Sequence, residues 1–572
     1  MKQGAFTFVL HSHLPYCRQA GRWPHGEEWI HEAASETYVP LLMALTDLRE
    51  QGVPFHLTIG LTPVLVEQLR DPLVNEHFVE YVSKRLAAAE TDVPRFRAAG
   101  ELQLAANAEF YQGFYGDVLA AYRDRFGSDI VGGFKSLQDS GHIEIATSGA
   151  THGYLPLMSR DSTIAAQVGV GVQSYERVFG RRPKAIWLPE CAYRPGYYAE
   201  DQDGTHERPG IERFLAEQGL QVFFSETHTV EGGRPVGKAA GDAVGPYGEI
   251  ARRYVAPLPT YREPTLRTTF EPYWVSGVDV AVIARNNRTG LQVWSGEHGY
   301  PGDFRYREFH RKDGTSGLNY WRISGRGVDI GQKSPWEPDR ASEAVAEHAR
   351  HFAELVEEMV TTYHSTTGRY GIVSSAYDTE LFGHWWFEGI DWIRQVLTRL
   401  AQSEVVDLTT ASLFIQQHPP EEVLELPESS WGQGGGHFTW LNVDTEWMWP
   451  IIHAHERRME ALVAQHEGAS GATLEVLRQA AREALLLQSS DWPFLVSTGQ
   501  AGEYAITRFQ QHVHRFEQLA DALSTGPIET HARELAANLY ERDRLFADVD
   551  YRLFRSREEG QAALPTWRSQ IA

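Results

Sequence analysis

What most limits the fold of this chain is a recurrent alternation along its first two thirds. Seven short β-branched or aromatic runs stand out: Phe6 to Leu10, His56 to Leu61, His142 to Thr147, Ala185 to Leu188, Val222 to Ser225, Asp279 to Arg285 and Gly371 to Ser375. Between several of them lie segments with helical spacing, such as Val345, Ala349, Phe352, Val356, Met359 and Tyr363, a one-sided apolar stripe leading into the seventh run. Alternation of strand and helix predicts a parallel α/β architecture, because strands that repeat in one direction need a crossover between them. In barrels of that kind the chemistry stands at the carboxyl ends of the strands, and here those ends read HSH, ATHG, PE, ETH and AYD.

Two stretches depart from alternation. From about Thr62 to Ser140 the pattern is almost wholly helical (Leu73, Phe78, Val82, Leu86, then Phe110, Phe114, Val118, Tyr122), which predicts a helical insertion over 62–140. After the linker HPPEEVLELPE come long amphipathic segments, of which Ile506, Phe509, Val513, Phe516, Leu519 and Leu523 is the clearest. The expected organisation is an α/β body over 1–61 and 141–410, a C-terminal helical domain over 411–555 and a loose tail over 556–572.

Charge and composition remove several classes of function. Asp plus Glu exceed Lys plus Arg by 76 to 53, a field that repels phosphate backbones and anionic membrane surfaces, so neither nucleic acid nor membrane is an expected partner. Only Cys17 and Cys191 are present, which excludes a disulfide framework and fits a reducing compartment. Both are read as packing residues. The apolar run near the start is too short for a signal segment, and nothing approaches the roughly twenty apolar residues of a membrane helix, so a cytoplasmic protein is expected. Aromatic residues make 12% of the chain, and many tryptophans sit in polar, Gly-rich surroundings: GRWPHGEEW, QVWSGEHGY, SSWGQGGGHFTW, DTEWMWP. Core residues are rarely placed there, whereas flat rings beside carboxylates and amides suit the C–H faces and hydroxyls of a sugar polymer.

Two carboxylates follow strands directly, Glu190 in AIWLPECAY and Asp378 in GIVSSAYDTELFGHWWFEG. The bland readings are a surface ion-pair partner for Glu190 and a helix N-cap for Asp378. The chemical one is a nucleophile and a general acid/base at a glycosidic bond. His11 and His13 in HSHLPY are two apart, so a regular strand points both to one side, and a metal pair is open. His152 in GATHGYLPL and His228 in SETHTV are further ligand candidates. No clear strand-end Asp completes a cation site among them, and the same imidazoles could equally bind hydroxyls.

Five ordered segments, HSHLPY, GATHGYLPL, WLPECAY, AYDTELFGHWW and SSDWPFLVSTGQAGEYA, together spanning residues 11 to 505, resemble the motifs of glycoside hydrolase family 57, and within it those of the branching enzymes. The resemblance implies a distorted (β/α)7 barrel with a helical insertion and a C-terminal helical domain, α-1,4-glucan as donor and acceptor, and no cofactor or metal. It places Glu190 on the nucleophile and Asp378 on the acid/base of a retaining double displacement. His11, His13, His152, His228 and Asp491 fall on subsite positions, and Trp23, Trp29, Trp294, Trp431 and Trp440 on tryptophans lining a glucan cleft. The Gly-rich segment THTVEGGRPVGKAAGDAVGPYGEI then matches a lid with Tyr247 at its tip. Amylases and 4-α-glucanotransferases share these motifs, so they stand as alternatives. From a different class, a metal-dependent deacetylase-like barrel would reveal itself by chelator sensitivity, and an idle glucan-binding protein is opposed by the presence of both carboxylates.

Overall fold

The computed structural model describes residues 2–201, 204–233, 235, 244–245, 248–249, 262–294, 299–325, 327–524 and 530–557. Tyr247 and most of the expected tail lie outside the described residues.

All seven predicted runs form strands: β1 (Gly4–Ser12), β2 (Leu57–Leu61), β3 (Ile143–Ala146), β4 (Ala185–Ile186), β5 (Val222–Ser225), β6 (Ala281–Ala284) and β7 (Gly371–Asp378). They are parallel and close into a ring. β1 pairs with β7 from Gly4↔Gly371 to His11↔Asp378, and on its other side with β2 from Val9↔Thr58 to Ser12↔Leu61. β2 pairs with β3, a Thr147–Ile186 bridge continues to β4, and β5 lies between β4 and β6. The Asn286 amide donates to the Ser374 carbonyl at 2.8 Å and joins β6 to β7. The ring is distorted at its amino end, where Val406–Leu408 takes the place beside the start of β1 that β2 holds further along. Every residue of β1, β2, β5, β6 and β7 is buried, as parallel strands covered on both faces require.

Helices cover the ring as the stripes predict. α1 (Glu27–Ala33) follows the first strand, and the insertion between β2 and β3 includes α2 (Pro72–Ala98) and α3 (Leu102–Ala120). Asp71 caps α2 by accepting from the amides of Leu73 and Val74 at 3.0 and 3.2 Å, and Pro72 opens the first turn, where its missing N–H costs nothing. α4 (Pro338–Thr367) buries Val345, Ala349, Phe352, Val356 and Met359, while Tyr363 near its end turns to Glu271 at 2.5 Å. Phe352 meets Trp392 of α5 (Gly389–Ala401) edge-on at 4.9 Å, and both rings pack on Phe8 of β1. Burying such an aromatic stabilises the fold by about 1.5 to 3 kcal/mol.

The C-terminal part contains α6 (Met448–Gln465), α7 (Gly471–Leu487), α8 (Asp491–Thr498), α9 (Gly502–Ser524) and α10 (Thr530–Arg542). Phe509, Phe516, Leu519 and Leu523 of the predicted stripe are fully buried against it. No helix among the described residues is long and apolar enough to cross a membrane. The connection from α7 to α8 is what matters for the site. Ser490 donates its amide to the His152 carbonyl at 3.0 Å and Gln167 reaches Gln488 at 3.1 Å, so the bundle is stitched to the carboxyl end of the barrel.

Candidate active site

The carboxyl ends of the parallel strands share one end of the ring, and there the predicted acids and histidines converge. Glu190 follows β4 through Pro189 and sits in the left-handed region at φ 60°, with Cys191 at 49° and His152 at 58° beside it. Non-glycine residues so placed cost of order 1 to 3 kcal/mol each, a strain that surrounding contacts must hold. Those contacts are visible. One carboxylate oxygen of Glu190 accepts from the Trp431 indole at 2.9 Å and the other from the Ser490 hydroxyl at 2.8 Å, while its carbonyl accepts the Trp431 amide at 3.2 Å. Burial pushes the Glu190 carboxyl above its ordinary range, opposed by the Trp431 and Ser490 hydrogen bonds to the charged form. Glu190 is therefore no surface ion-pair partner.

The hydrogen bonds around Ser490 run on into the histidines. Its hydroxyl donates to Glu190, so it accepts from Nδ1 of His152 at 2.9 Å, and the Nε2 atoms of His152 and His11 share a hydrogen bond at 3.1 Å. His13 stacks on His152 with centroids 3.7 Å apart and binds Asp491 through Nε2 at 3.1 Å and Thr62 through Nδ1 at 3.1 Å. Burial lowers the His13 pKa, but the charge and hydrogen bond of Asp491, with Glu190 behind them, outweigh it and raise the net value. The expectation that no strand-end Asp joins these histidines agrees with this geometry. The acid comes from the N-terminus of α8, far along the chain, rather than from a strand end.

Asp378 ends β7 in register with His11 and is 8% exposed. It precedes a short turn, Thr379–Leu381, without making a capping bond to it, so the cap reading fails. Two residues on, Glu380 accepts from the Tyr38 hydroxyl and from the His13 amide, the latter at 3.2 Å. Burial and then the charge of Asp378 push Glu380 up to about 8, so it holds a proton at neutral pH. Glu380, Tyr38, Ser490 and Trp187, whose ring stacks on His11 at 5.1 Å, were not anticipated. Ser490 and Glu380 lie inside quoted motifs, adjacent to Asp491 and two residues from Asp378, which was the only sequence signal for them.

The remaining predicted residues divide. His228 begins a short turn after β5, is buried, and has its pKa lowered to about 4 by burial and by Arg262 and Arg285; a Cβ on Gly435 would lie 3.0 Å from its ring, so it backs onto the Gly-rich segment. Trp29 lines a pocket of about 170 Å³ that also contains Glu380, His384 and Phe309. Trp294 ends helix Asn287–Trp294 half-buried, 6.4 Å from the Tyr377 ring. Trp23 is 77% exposed on a separate groove and does not join the cluster. Trp440 does not join it either. It is 1% exposed, stacked on Tyr154 at 4.4 Å. The expectation that rings in SSWGQGGGHFTW lie outside the core is overturned for both Trp431 and Trp440. The glycines there reflect close packing rather than exposure, since a Cβ on Gly432 would meet the Trp440 ring at 2.5 Å. Cys17 and Cys191 are both buried and free, as packing residues would be.

A family model described as glycosyl hydrolase family 57 matches residues 7–427, and one described as 1,4-alpha-glucan branching enzyme, C-terminal, matches 451–554. The chain belongs to glycoside hydrolase family 57. This family 57 enzyme is 45% identical to a 1,4-alpha-glucan branching enzyme of Thermococcus kodakarensis, over 96% of this chain and 78% of that one. Its fold is similar to the crystal structure of the GH57 branching enzyme from Pyrococcus horikoshii, with a TM-score of 0.86, 42% identity and 98% of each chain covered. It is also similar to the alpha-amylase AmyC from Thermotoga maritima, with a TM-score of 0.79, 30% identity, and 98% and 100% of the two chains covered. The distorted (β/α)7 barrel with a C-terminal helical domain is thus the architecture of a family 57 enzyme.

Proposed function

We propose that this family 57 enzyme is a cytoplasmic 1,4-α-glucan branching enzyme acting by retaining double displacement. Glu190 attacks C1 of an α-1,4-glucan while Asp378 protonates the leaving oxygen, and a glucan 6-hydroxyl, deprotonated by Asp378, then opens the glycosyl-enzyme to form an α-1,6 branch. Trp431 and Ser490 each donate to Glu190, holding the buried carboxylate ionised and aimed. The His152–His11 pair orders Ser490, and His13, held by Asp491 and Thr62, stands beside the carboxylates. Trp29 borders the pocket leading away from Glu380 and would carry sugar rings, with Trp294 and His228 on other sides; Tyr247 is assigned to the lid.

The observation that carries branching over hydrolysis is the match of residues 451–554 to the branching-enzyme C-terminal model, because that segment supplies Ser490 and Asp491 to the catalytic cluster. In this reading the barrel, 1–61 and 141–410, brings the carboxylates, and the helical domain over 411–555 completes their surroundings. The test is incubation with amylose, counting new α-1,6 linkages by proton NMR against new reducing ends. Many branches and few reducing ends support branching, whereas mostly reducing ends select an amylase. Tyr247→Ala should raise the ratio of hydrolysis to branching, and an unaltered ratio removes Tyr247 from the mechanism.

A further inference from the structure

Outside the catalytic cluster the described residues contain two groups of three side chains whose ligand atoms lie within 4.8 Å of one another, Glu27–His31–His77 and Glu483–His512–Asp543. They differ in what else touches them. In the second, Arg508 donates to His512 at 3.0 Å and Arg515 pairs with Asp543, so guanidinium cations already fill the place of a metal. The first has no such occupant. Glu27 and His31 stand one helical turn apart on α1 and so share a face, and His77 comes from α2. His77 Nδ1 lies 2.5 Å from a carboxylate oxygen of Glu27, and His31 Nε2 lies 3.8 Å from the same oxygen. The other oxygen of Glu27 accepts the Gln19 amide at 2.7 Å, which orients the carboxylate.

His31 is the anomaly. It is 5% exposed, yet neither ring nitrogen has a hydrogen-bond partner among the described residues. Buried imidazoles are almost always hydrogen-bonded, and an orphan of this kind calls for a missing partner. A cavity of about 510 Å³, lined in part by His31, His77, Glu28, Glu80 and Tyr81, opens on the two imidazoles and offers a path for an ion and room for water. Arg22, Lys84, Arg85 and Lys312 also border this cavity, each paired with Glu80, Glu28 or Glu32.

We propose that Glu27, His31 and His77 form a binding site for a first-row divalent metal ion, zinc by preference, with water completing a tetrahedral set. Two imidazoles and one carboxylate are a donor set that Zn²⁺ accepts, and bonds of about 2.0 to 2.2 Å put tetrahedral ligand atoms roughly 3.4 Å apart. The 3.8 Å and 2.5 Å separations bracket that value, so side-chain adjustments suffice. The proton in the His77–Glu27 hydrogen bond leaves as the metal enters. The ion would clamp the first turn of α1 to the helical insertion. Since α1 carries Trp29, which lines the pocket beside Glu380, the clamp would be structural and would take no part in the reaction.

The full chain, freed of metal with EDTA and desalted, is titrated with zinc chloride, and bound zinc is counted by plasma mass spectrometry after gel filtration. The expected result is one tightly bound zinc per chain, affinity weakened at least 100-fold in His31→Gln and in His77→Gln, and a zinc-induced rise in melting temperature only in the wild type. Cobalt(II) in place of zinc should give the strong visible absorption of a tetrahedral site, lost in His77→Gln. His77 is the more accessible partner, so its variant keeps the test valid if His31→Gln fails to fold. Equal zinc uptake by wild type and His77→Gln, or none by either, overturns the proposal.

Discussion

Two clusters in this molecule are built from the same side chains and behave oppositely. At the barrel end, His13 meets Asp491 at 3.1 Å beside Glu190, and the charge and hydrogen bond of Asp491 outweigh burial and raise the proton affinity of the imidazole. Inside the C-terminal helices, His512 meets Glu483 at 2.8 Å, both side chains wholly buried, while Arg508 donates to the far nitrogen of the ring. Burial first and then Arg508 and Arg515 drive the His512 pKa well below its ordinary value, so there the arginines carry the charge and the imidazole is neutral. A histidine beside a carboxylate is therefore not a functional signature by itself. What separates a reactive cluster from a structural one is which charged neighbours set the proton affinity of the imidazole and whether a substrate can reach it.

The sharpest break of this comparison is to remove charge from each cluster. Glu190→Gln should lower turnover by about 10⁴-fold or more with the melting temperature nearly unchanged, because the nucleophile is lost and its shape is kept. Asp378→Asn should do the same. Turnover within tenfold of wild type in either variant would sink the assignment, as would a refined structure with the two carboxyls beyond roughly 9 Å rather than about 5 to 5.5 Å. Arg515→Met in the sealed cluster should instead destabilise the protein by about 3 to 5 kcal/mol, since Asp543 is left buried without its cation, while kcat of the folded fraction stays constant. Chemical denaturation and initial rates measured on one preparation separate the two outcomes.

The tryptophans that flank the Gly-rich segment sharpen the same contrast at similar scale. Trp440→Ala should cost about 3 to 5 kcal/mol of stability, as a large core deletion does. Trp431→Ala should lose activity as well, because it removes a donor to Glu190. Equal activity losses at equal stability would show that Trp440 too reaches substrate.

Ser490→Ala gives a smaller effect, about 10- to 100-fold in kcat/KM, the worth of one hydrogen bond to a charged group. The lost donor had favoured the ionised carboxylate, so the Glu190 pKa rises further and the acidic limb of the pH–rate profile moves to higher pH. A limb that stays in place would mean Ser490 does not act through Glu190. The smallest effect is on stability against pH. His13 has a raised folded-state pKa, so its contribution is fully present below the ordinary imidazole value near 6.5 and is lost as pH rises through the folded value. Asp491→Asn should lower the His13 pKa, followed by NMR, and flatten that dependence. An unchanged titration would show that Asp491 is not what raises the His13 pKa.

The strands, the helical stripes and the two carboxylates were readable because each depends on neighbours within a few residues. Short β-branched or aromatic runs, one-sided apolar spacing and an acid placed directly after a strand are all local. Tertiary structure alone decided which distant groups meet. Ser490 reaches Glu190 across 300 residues and Asp491 reaches His13 across 478, contacts that no periodicity encodes. It also decided the fate of the Gly-rich tryptophans, because a glycine beside a ring can mean open solvent or an indole packed where no Cβ fits, and the sequence is the same in both cases. The protonation of His13 and His512 was beyond local reading for the same physical reason. A charge buried at low dielectric answers to whatever folding places around it, and only the closed fold brings Asp491 to His13 and seals His512 from solvent; Arg508 and Arg515 are neighbours of His512 on its own helix.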